Sequence, residues 1–267
     1  MTAAPALTAP DAEYGQGPRR FRLATGSPGE LGLLGALGEV FACRADATLL
    51  WHKHGTGESL QLLKAGLIDM AMVHAPADVD RAVAAGWAAG KRLIGSNEFY
   101  IVGPAHDPAA IAGAAGAVEA YRRIADSGSS FISRGDGSGT HQKELQLWAA
   151  AGVSPSGPGY IVTCDFMTAS LRRANAESAY FMTDSSTWIM EQAVAPQLKV
   201  LFRGDRRLVN VYHAISALPG GTPGSEVAQA FASFVAGHEG QNIIREYGAG
   251  RYVQALYNDA EYARQYD

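Results

Sequence analysis

The stretch SFISRGDGSGTHQKELQLWAA, residues 130–150, joins a short apolar run, a loop of small residues and a longer mixed segment. Residues 130–133 predict a β-strand, and residues 141–151 predict an α-helix. The glycine-rich turn between them carries Arg134. A strand, a turn of small residues and a helix, in this order, form the repeating unit of folds with parallel β-sheets.

The same unit occurs twice more towards the N-terminus. Residues 21–25 and 47–51 predict strands, and each strand is followed by a turn of small residues and a predicted helix, over 30–42 and 58–65. In the first of these helices the apolar side chains recur at the spacing of one helix face. Further predicted strands lie at residues 70–73, 99–104 and 207–213. This alternation predicts an α/β fold with mainly parallel sheets and helices on both faces.

The composition narrows the class of protein. The 267 residues suffice for one large domain or two modest ones. With 47% hydrophobic and 18% charged residues the chain is typical of globular α/β proteins, which excludes disorder, collagen and coiled coil. The 22 Lys and Arg residues against 26 Asp and Glu give a net charge of -4, which argues against a nucleic-acid-binding protein. An anionic ligand would therefore depend on local donors.

The N-terminus and the cysteines bear on location. Residues 1–20 predict a flexible tail, and they lack the basic and apolar regions of a signal peptide. We therefore expect a cytoplasmic protein, with a periplasmic or cell-surface location as the alternative if a leader was trimmed. No run of 18 apolar residues occurs, so we expect no membrane insertion. Cys43 and Cys164 form no Cys-x-x-Cys motif, and the sequence does not decide whether they form a disulfide with each other.

The three predicted turns share a property that favours anion binding. The first N–H groups of a helix have no intrahelical partner and lie at the positive end of its dipole, and small residues let an anion approach them. The third turn adds a guanidinium and a glycine-rich backbone that can form a nest of N–H groups. The predicted donors are Thr25, Ser27, Gly55, Thr56, Gly57, Arg134, Ser138, Gly139 and Thr140.

No pattern in the sequence predicts catalysis. No Gly-Lys-Ser/Thr follows a glycine loop, and the nucleophile-elbow pattern fails at Ser138. The seven histidines form no His-Glu-x-x-His motif. We expect His52 and His54 to be solvated or hydrogen-bonded rather than to bind a metal ion as a pair. The acidic residues that could have formed a carboxylate dyad are scattered, namely Asp69, Asp136 and Asp184. We therefore predict no catalytic residue and no metal site.

The string SRGDGSGTH, residues 133–141, resembles the signature of the TupA-like family. These are the tungstate-binding components of ABC importers, within the type II periplasmic binding protein superfamily. The resemblance spans about residues 21–250 and implies two α/β lobes joined by a hinge. It also implies that a tetrahedral oxyanion, tungstate or molybdate, is held in a cleft between the lobes by hydroxyls, main-chain N–H groups and an arginine. Its other motifs lie at residues 55–57, 67–75, 99–104, 107–108, 143–144, 147–148, 183–184, 204–205, 208–210 and Tyr212.

Carried over to this chain, the resemblance implies a first lobe of residues 21–103 plus 208–267 and a second lobe of residues 104–207. It adds Thr163 and Cys164 to the ligand-binding residues, because they stand where the family has a glycine-rich turn. A non-catalytic solute-binding function follows, with a transporter permease as partner and no cofactor besides the bound oxyanion. We expect a monomer.

In the first lobe this chain departs from the family pattern around the ligand. Three positions of the first turn have lost hydroxyl donors, namely Gly26, Pro28 and Leu31. The groups that could compensate stand just before the second turn, namely His52, Lys53 and His54.

The second lobe departs from the pattern as well. In the turn over residues 163–167, Cys164 and Phe166 replace glycines of the family, and Asp165 would repel an oxyanion if it faced the ligand. Ser185 stands where the family has an arginine, which removes one cationic partner. These departures leave the identity of the ligand open.

Two alternatives to oxyanion uptake therefore remain. The same fold could bind a small organic carboxylate, with Phe166 and Leu31 as an apolar wall and Arg134 pairing with the carboxylate. It could also be a cytoplasmic sensor or delivery protein for an oxyanion. An enzyme on this scaffold is the lowest-ranked interpretation.

Several residues near the third turn are expected to be structural. We predict that Asp136 caps or braces the loop, that His141 is a structural hydrogen-bonding residue, and that Trp148 lies in the core. Arg134 is the residue on which ligand binding is expected to depend most.

Overall fold

A computed structural model describes residues 7–267 of the chain. The chain divides into two units. Unit 1 comprises the chain up to Ser96 together with Val211–Asp267, and unit 2 comprises Asn97–Asn210. The fold is mixed α/β in both units, as the alternation of strands and helices predicted.

Strands form at the segments predicted from the sequence, including 21–25, 47–51 and 70–73. Within the described residues the strands, in chain order, are β1 (Ala12–Tyr14), β2 (Arg19–Thr25), β3 (Ala47–Lys53), β4 (Met70–Val73), β5 (Ala88–Pro104), β6 (Phe131–Ser133), β7 (Tyr160–Val162), β8 (Tyr180–Asp184), β9 (Leu198–Phe202) and β10 (Val209–Ala217). The chain passes between the units within β5 and β10.

The α-helices follow the predicted turns. In chain order they are α1 (Ser27–Glu30), α2 (Leu33–Ala45), α3 (Thr56–Lys64), α4 (Pro76–Ala84), α5 (Ala117–Ser127), α6 (Gly139–Ala150), α7 (Met167–Glu177), α8 (Ser185–Glu191), α9 (Ser225–Ala236), α10 (His238–Glu246) and α11 (Ala260–Ala263). The single helix predicted over 30–42 is interrupted, because Gly32 has a φ of 88° and separates α1 from α2. None of the helices in residues 7–267 combines the length and apolarity needed to cross a membrane.

The prediction of a flexible tail over residues 1–20 is wrong for its later part. β1 pairs antiparallel with β3, and β2 already begins at Arg19. The Tyr14 ring lies against Gly35 and Gly38 of α2, where the absence of side chains leaves room for it. Burial of this ring and the strand pairing order the segment. Residues 1–6 of the predicted tail lie outside the described residues.

The sheet of unit 1 has the order β1-β3-β2-β4-β10. The pairs β2–β3 and β2–β4 are parallel, whereas β1 and β10 pair antiparallel at the margins. The carboxyl ends of β2, β3 and β4 therefore meet at one edge of this sheet, and the turns that follow these strands lie there. Alternate residues of β2 supply two cores, with Phe21 near Phe41 at 5.9 Å between ring centroids and Ala24 in a second apolar cluster.

The sheet of unit 2 has the order β5-β8-β6-β7, and β9 also pairs with β5. The pairs β6–β8 and β6–β7 are parallel, and β5 pairs antiparallel with β8 and β9. Neighbouring residues of β6 point to opposite sides, since Phe131 and Ile132 belong to different apolar clusters. Trp148 of α6 is buried against Phe131, so its prediction as a core residue is confirmed.

Candidate functional site

The turn between β6 and α6 has a backbone that few residues permit. Gly135 has a φ of 63°, and a Cβ at this position would lie 2.1 Å from a methyl carbon of Val162. Only glycine fits without a shift of its neighbours. Ser138 is the N-cap of α6, and its hydroxyl accepts a hydrogen bond from the N–H of His141 at 3.3 Å. The sequence therefore specifies both the turn and the first residue of the helix.

The side chain of Arg134 is held on three sides and is only 6% exposed. Its Nε donates to the main-chain oxygen of Asp165 at 3.1 Å, and its Nη2 forms an ion pair with Asp136. The guanidinium carbon lies 5.6 Å from the centre of the Phe166 ring. No described residue accepts a hydrogen bond from Nη1. The guanidinium is thus fixed in place and retains donors for a ligand.

Two N–H groups of the glycine-rich turn are used within the turn itself. The N–H of Ser138 donates to Oδ1 of Asp136 at 3.1 Å, and the N–H of Gly137 donates to Nδ1 of His141 at 3.0 Å. The predictions that Asp136 braces the loop and that His141 is a structural hydrogen-bonding residue are therefore confirmed. These two N–H groups are therefore engaged within the turn.

Other donors of the same turn remain available. The N–H groups of Gly139 and Thr140 open α6, where a helix offers them no partner. The hydroxyl of Thr140 makes no hydrogen bond within residues 7–267, although the residue is 2% exposed. Ser138 accepts through its oxygen and keeps its own proton. Together with Nη1 of Arg134, these groups form a donor set without a described acceptor.

The second turn of unit 2 is tied to the Arg134 segment by hydrogen bonds. The hydroxyl of Thr163 lies 2.8 Å from the Ser170 hydroxyl and 3.3 Å from the carbonyl oxygen of Ser133, so it has partners within the unit. Cys164 has a φ of 56°, which glycine adopts more readily, and its thiol is exposed. Its N–H donates to the carbonyl oxygen of Arg134 at 2.8 Å. These residues support the Arg134 segment, and their contact with a ligand stays a prediction.

A carboxyl group buried on α6 belongs to the motif at residues 143–144 but was not predicted as a site residue. Glu144 is 2% exposed, and its Oε1 accepts from the Tyr160 hydroxyl at 2.6 Å and from Nε1 of Trp148 at 3.2 Å. Burial raises the pKa of Glu144 to about 7, while the hydrogen bonds lower it and the charge of Asp136 raises it further. An acidic residue in the middle of a predicted helix gives no sign of this environment in the sequence.

In unit 1 the predicted donors of the first turn differ from each other. Thr25 is buried, and its hydroxyl donates to the carbonyl oxygen of Met72 at 2.8 Å, which ties β2 to β4. Its only proton is therefore engaged. Ser27 begins α1, is partly exposed, and forms no hydrogen bond through its hydroxyl to any residue that the structure describes. Of the two, Ser27 is the one with a proton to give.

The second predicted turn of unit 1 lies at the start of α3. Gly55 is the N-cap with extended backbone, and Thr56 and Gly57 open the helix. The Thr56 hydroxyl accepts from the N–H of His74 at 3.4 Å and keeps its proton. The ring of His74 lies 5.3 Å from that of Tyr212, at the edge where β4 ends and β10 begins. His74 and Tyr212 belong to the sequence motifs of the family but were not predicted as site residues.

The basic residues before this turn are paired or buried. Lys53 forms an ion pair with Glu30 at 2.8 Å, and Nδ1 of His54 lies 2.8 Å from a carboxylate oxygen of Glu58. His52 is 2% exposed, and burial lowers its pKa. Their positive charge is therefore largely balanced or suppressed within unit 1.

A buried polar network in unit 2 adjoins Ser185, the position at which the resemblance implies an arginine. Asp184 is the N-cap of α8 and accepts from the N–H of Thr187 at 2.9 Å. The amide of Asn97 donates to Asp184 at 3.2 Å and to the hydroxyl of Ser186 at 2.9 Å, and the amide of Asn210 donates to Asn97 at 2.8 Å. Asn97 and Asn210 stand 113 positions apart in sequence, so no local pattern predicts this network.

A metal site and a disulfide are two further features that bear on function. Within residues 7–267, no three His, Cys, Asp or Glu side chains come together as a metal site requires. Cys43 and Cys164 are both free and exposed.

Comparison with known families gives a match over most of the chain. Residues 10–239 match the family model described as a PBP superfamily domain. This range includes the turns that follow β2, β3 and β6 and all of the predicted donor residues.

Individual relatives agree with this match. A Haloferax volcanii protein described as an ABC transporter anion-binding protein is 37% identical over 231 residues, which is 84% of this chain and 68% of the relative. The tungstate-binding protein TupA of Peptoclostridium acidaminophilum is 34% identical over 76% of this chain and 72% of its own length. The crystal structure of the tungstate ABC transporter from Geobacter sulfurreducens is 36% identical with a TM-score of 0.78, and the match covers 87% of this chain and 100% of that chain.

Proposed function

We propose that this chain, which belongs to the PBP superfamily and within it to the TupA-like family, is a solute-binding protein for a small oxyanion of the tungstate or molybdate class. The observation that carries the proposal is the donor set of the turn over residues 134–140. This turn offers one cationic side chain with an unused Nη1, two main-chain N–H groups and two hydroxyls. The names of the tungstate-binding and anion-binding relatives support the same ligand class.

The physical requirement is the replacement of the ligand's hydration shell. Transfer of a dianion from water into a protein site is prohibitively unfavourable unless hydrogen bonds or charges compensate for the lost hydration. Each hydrogen bond to a charged group contributes about 1.5–3 kcal/mol, so the donors of this turn supply on the order of 10 kcal/mol before costs. Arg134 is the one formal charge among these donors, and its loss should weaken binding most.

The predicted donors of unit 1 differ in whether they can still donate a hydrogen bond to a ligand. Ser27, the N–H groups of Thr56 and Gly57, and the Thr56 hydroxyl can still donate to an anion. Thr25 is a structural residue in this proposal, because its proton is bound to Met72. The placement of the ligand in a cleft between two lobes stays a prediction.

A role in uptake is the natural context for such a protein. Relatives named as parts of ABC transporters support a transporter permease as the partner, and they favour uptake over a sensor or delivery role. We accordingly propose a periplasmic or cell-surface location in place of the cytoplasmic one.

Isothermal titration with tungstate, molybdate and sulfate tests the proposal. We expect a dissociation constant in the micromolar range or below for at least one of them, which protein at roughly 50 μM would reveal. Arg134→Ala should weaken binding by about a hundredfold, and Thr140→Val, which leaves the ion pair of Arg134 intact, by about tenfold. Arg173→Ala, which removes an exposed arginine of unit 2, is the matched control and should bind like the wild type. The absence of heat with all three oxyanions would refute the proposal.

A second candidate ligand is a small organic carboxylate. The observation in its favour is the partly exposed ring of Phe166 beside Arg134, which offers an apolar surface next to a guanidinium. Leu31 does not complete this wall, because it is 5% exposed within unit 1. Succinate and citrate in the same titration separate the two ligand classes, since heat with a carboxylate alone would favour this candidate.

A further inference from the structure

The carboxylate of Asp136 occupies donors that an oxyanion would otherwise use. Its Oδ1 accepts from the N–H of Ser138 at 3.1 Å, and its Oδ2 forms the ion pair with Nη2 of Arg134. The side chain of Asp136 is 20% exposed, whereas that of Arg134 is 6% exposed. The turn therefore carries an anion of its own, bound to the same guanidinium on which the proposed ligand depends.

This contact changes the charge that a ligand meets. The opposite charges of a guanidinium and a carboxylate in direct contact largely cancel for a group farther away. An anion at Nη1 therefore meets a dipole instead of a full positive charge. No hydrogen bond joins the carboxyl groups of Asp165 and Glu144 to this guanidinium. Asp165 reaches Arg134 through its main-chain oxygen only, and Glu144 is bound by Tyr160 and Trp148.

We propose that Asp136 is a specificity-determining residue, which offsets the charge of Arg134 so that only anions matching the remaining donors bind well. The inference rests on the proposed function of this turn as an oxyanion site. Nη1, the N–H groups that open α6 and the hydroxyls of Ser138 and Thr140 then select the ligand by geometry. A poorly matched anion such as sulfate gains little from net charge and stays unbound at low concentration.

Asp136→Asn tests the inference with little change in shape. Asparagine keeps an oxygen for the N–H of Ser138 but removes the negative charge beside Arg134. Titrations of the wild type and the variant with sodium tungstate and sodium sulfate, at roughly 50 mM and 500 mM NaCl, measure affinity and its salt dependence. We expect the variant to bind tungstate about tenfold more tightly at low salt, to bind sulfate measurably, and to lose much of this gain at high salt.

A matched control is available on α5 of the same unit. Asp126→Asn removes an exposed carboxylate outside the ligand-binding turns, so it should change affinity by less than about threefold. Thermal unfolding of each variant shows whether it folds. Asp136→Ser, which also removes the charge and keeps a short acceptor, serves if the asparagine variant does not fold.

The outcomes separate this inference from the proposed function. Tighter binding with a steeper salt dependence supports the role of Asp136. If the wild type binds tungstate and the variants bind equally or more weakly with unchanged salt dependence, Asp136 is only a brace and the inference fails alone. If neither the wild type nor any variant binds an oxyanion, the proposed function fails and the inference fails with it.

Discussion

Replacement of Glu144 by glutamine should stabilise the protein at alkaline pH and not at acidic pH. The pKa of this buried carboxyl is raised from its ordinary value of 4.5 to about 7, chiefly by burial. In the unfolded chain the group titrates near 4.5, so between pH 4.5 and about 7 the folded state binds more protons than the unfolded state. The free energy of unfolding therefore falls as pH rises through this window.

The magnitude follows from the same two values. The interval between 4.5 and about 7, at 1.36 kcal/mol for each pH unit, corresponds to about 3 kcal/mol that the ionised carboxylate removes from the stability above pH 7. Glutamine has no charge at any pH, and its oxygen can still accept from Tyr160 and Trp148. Relative to the wild type, Glu144→Gln should gain about 3 kcal/mol between pH 4 and pH 8.5.

Urea unfolding of both proteins at several pH values from 4 to 8.5 measures this difference. The informative quantity is the change with pH, because any constant difference reflects the substitution itself. Glu226→Gln, at an exposed position in the first turn of α9, is the matched control and should show a difference independent of pH above about 6. Parallel stability curves for the wild type and Glu144→Gln would refute the reasoning.

Two further substitutions test the assignments of individual turn residues. Gly135→Ala should lower the free energy of unfolding by about 1–3 kcal/mol, because the residue has a φ of 63° and a Cβ would meet Val162 at 2.1 Å; equal urea midpoints for this variant and the wild type would contradict the assignment. Thr25→Val should lower stability by about 1–3 kcal/mol through the unsatisfied carbonyl of Met72, whereas Thr25→Ser, which retains the hydroxyl, should lower it less. If the valine variant loses anion affinity but no stability, Thr25 is a ligand donor and not a structural residue.

The local parts of the fold could be predicted from the sequence. The segments that became β2, β3 and β6 each combine a short apolar run with a turn of small residues, and β4 is a short apolar run, so a local pattern sufficed. The start of α6 is likewise local, because Ser138 caps the helix three residues before His141. The interruption after α1 depends on the left-handed conformation of Gly32, which the apolar spacing around it does not reveal.

The parts that could not be predicted depend on contacts between distant residues. Thr25 and Met72 are 47 positions apart, and their hydrogen bond engages the proton of a predicted ligand donor in a link between strands. The antiparallel margins of the sheets arise from pairings such as β4 with β10, which no local pattern encodes. The segment that holds Tyr14 against α2 lies in a stretch rich in Ala, Pro and Gly, and this composition did not predict its strand. In each case the local structure is determined by the free energy of a contact between residues that are distant in sequence.

The predicted donors can be ranked by what each proton does in the structure. The hydroxyl of Thr25 donates its proton to a carbonyl oxygen and cannot donate to a ligand as well. The hydroxyls of Thr56 and Ser138 accept hydrogen bonds through their oxygens and can still donate. Thr140 has no described partner at all. The first turn has Gly26, Pro28 and Leu31 where the resemblance implies hydroxyl residues, and Thr25 is engaged, so anion affinity should depend mainly on the turn that begins α6. There the only formal positive charge is already balanced by a carboxylate, so orientation of neutral donors, more than net charge, should decide which anion is held.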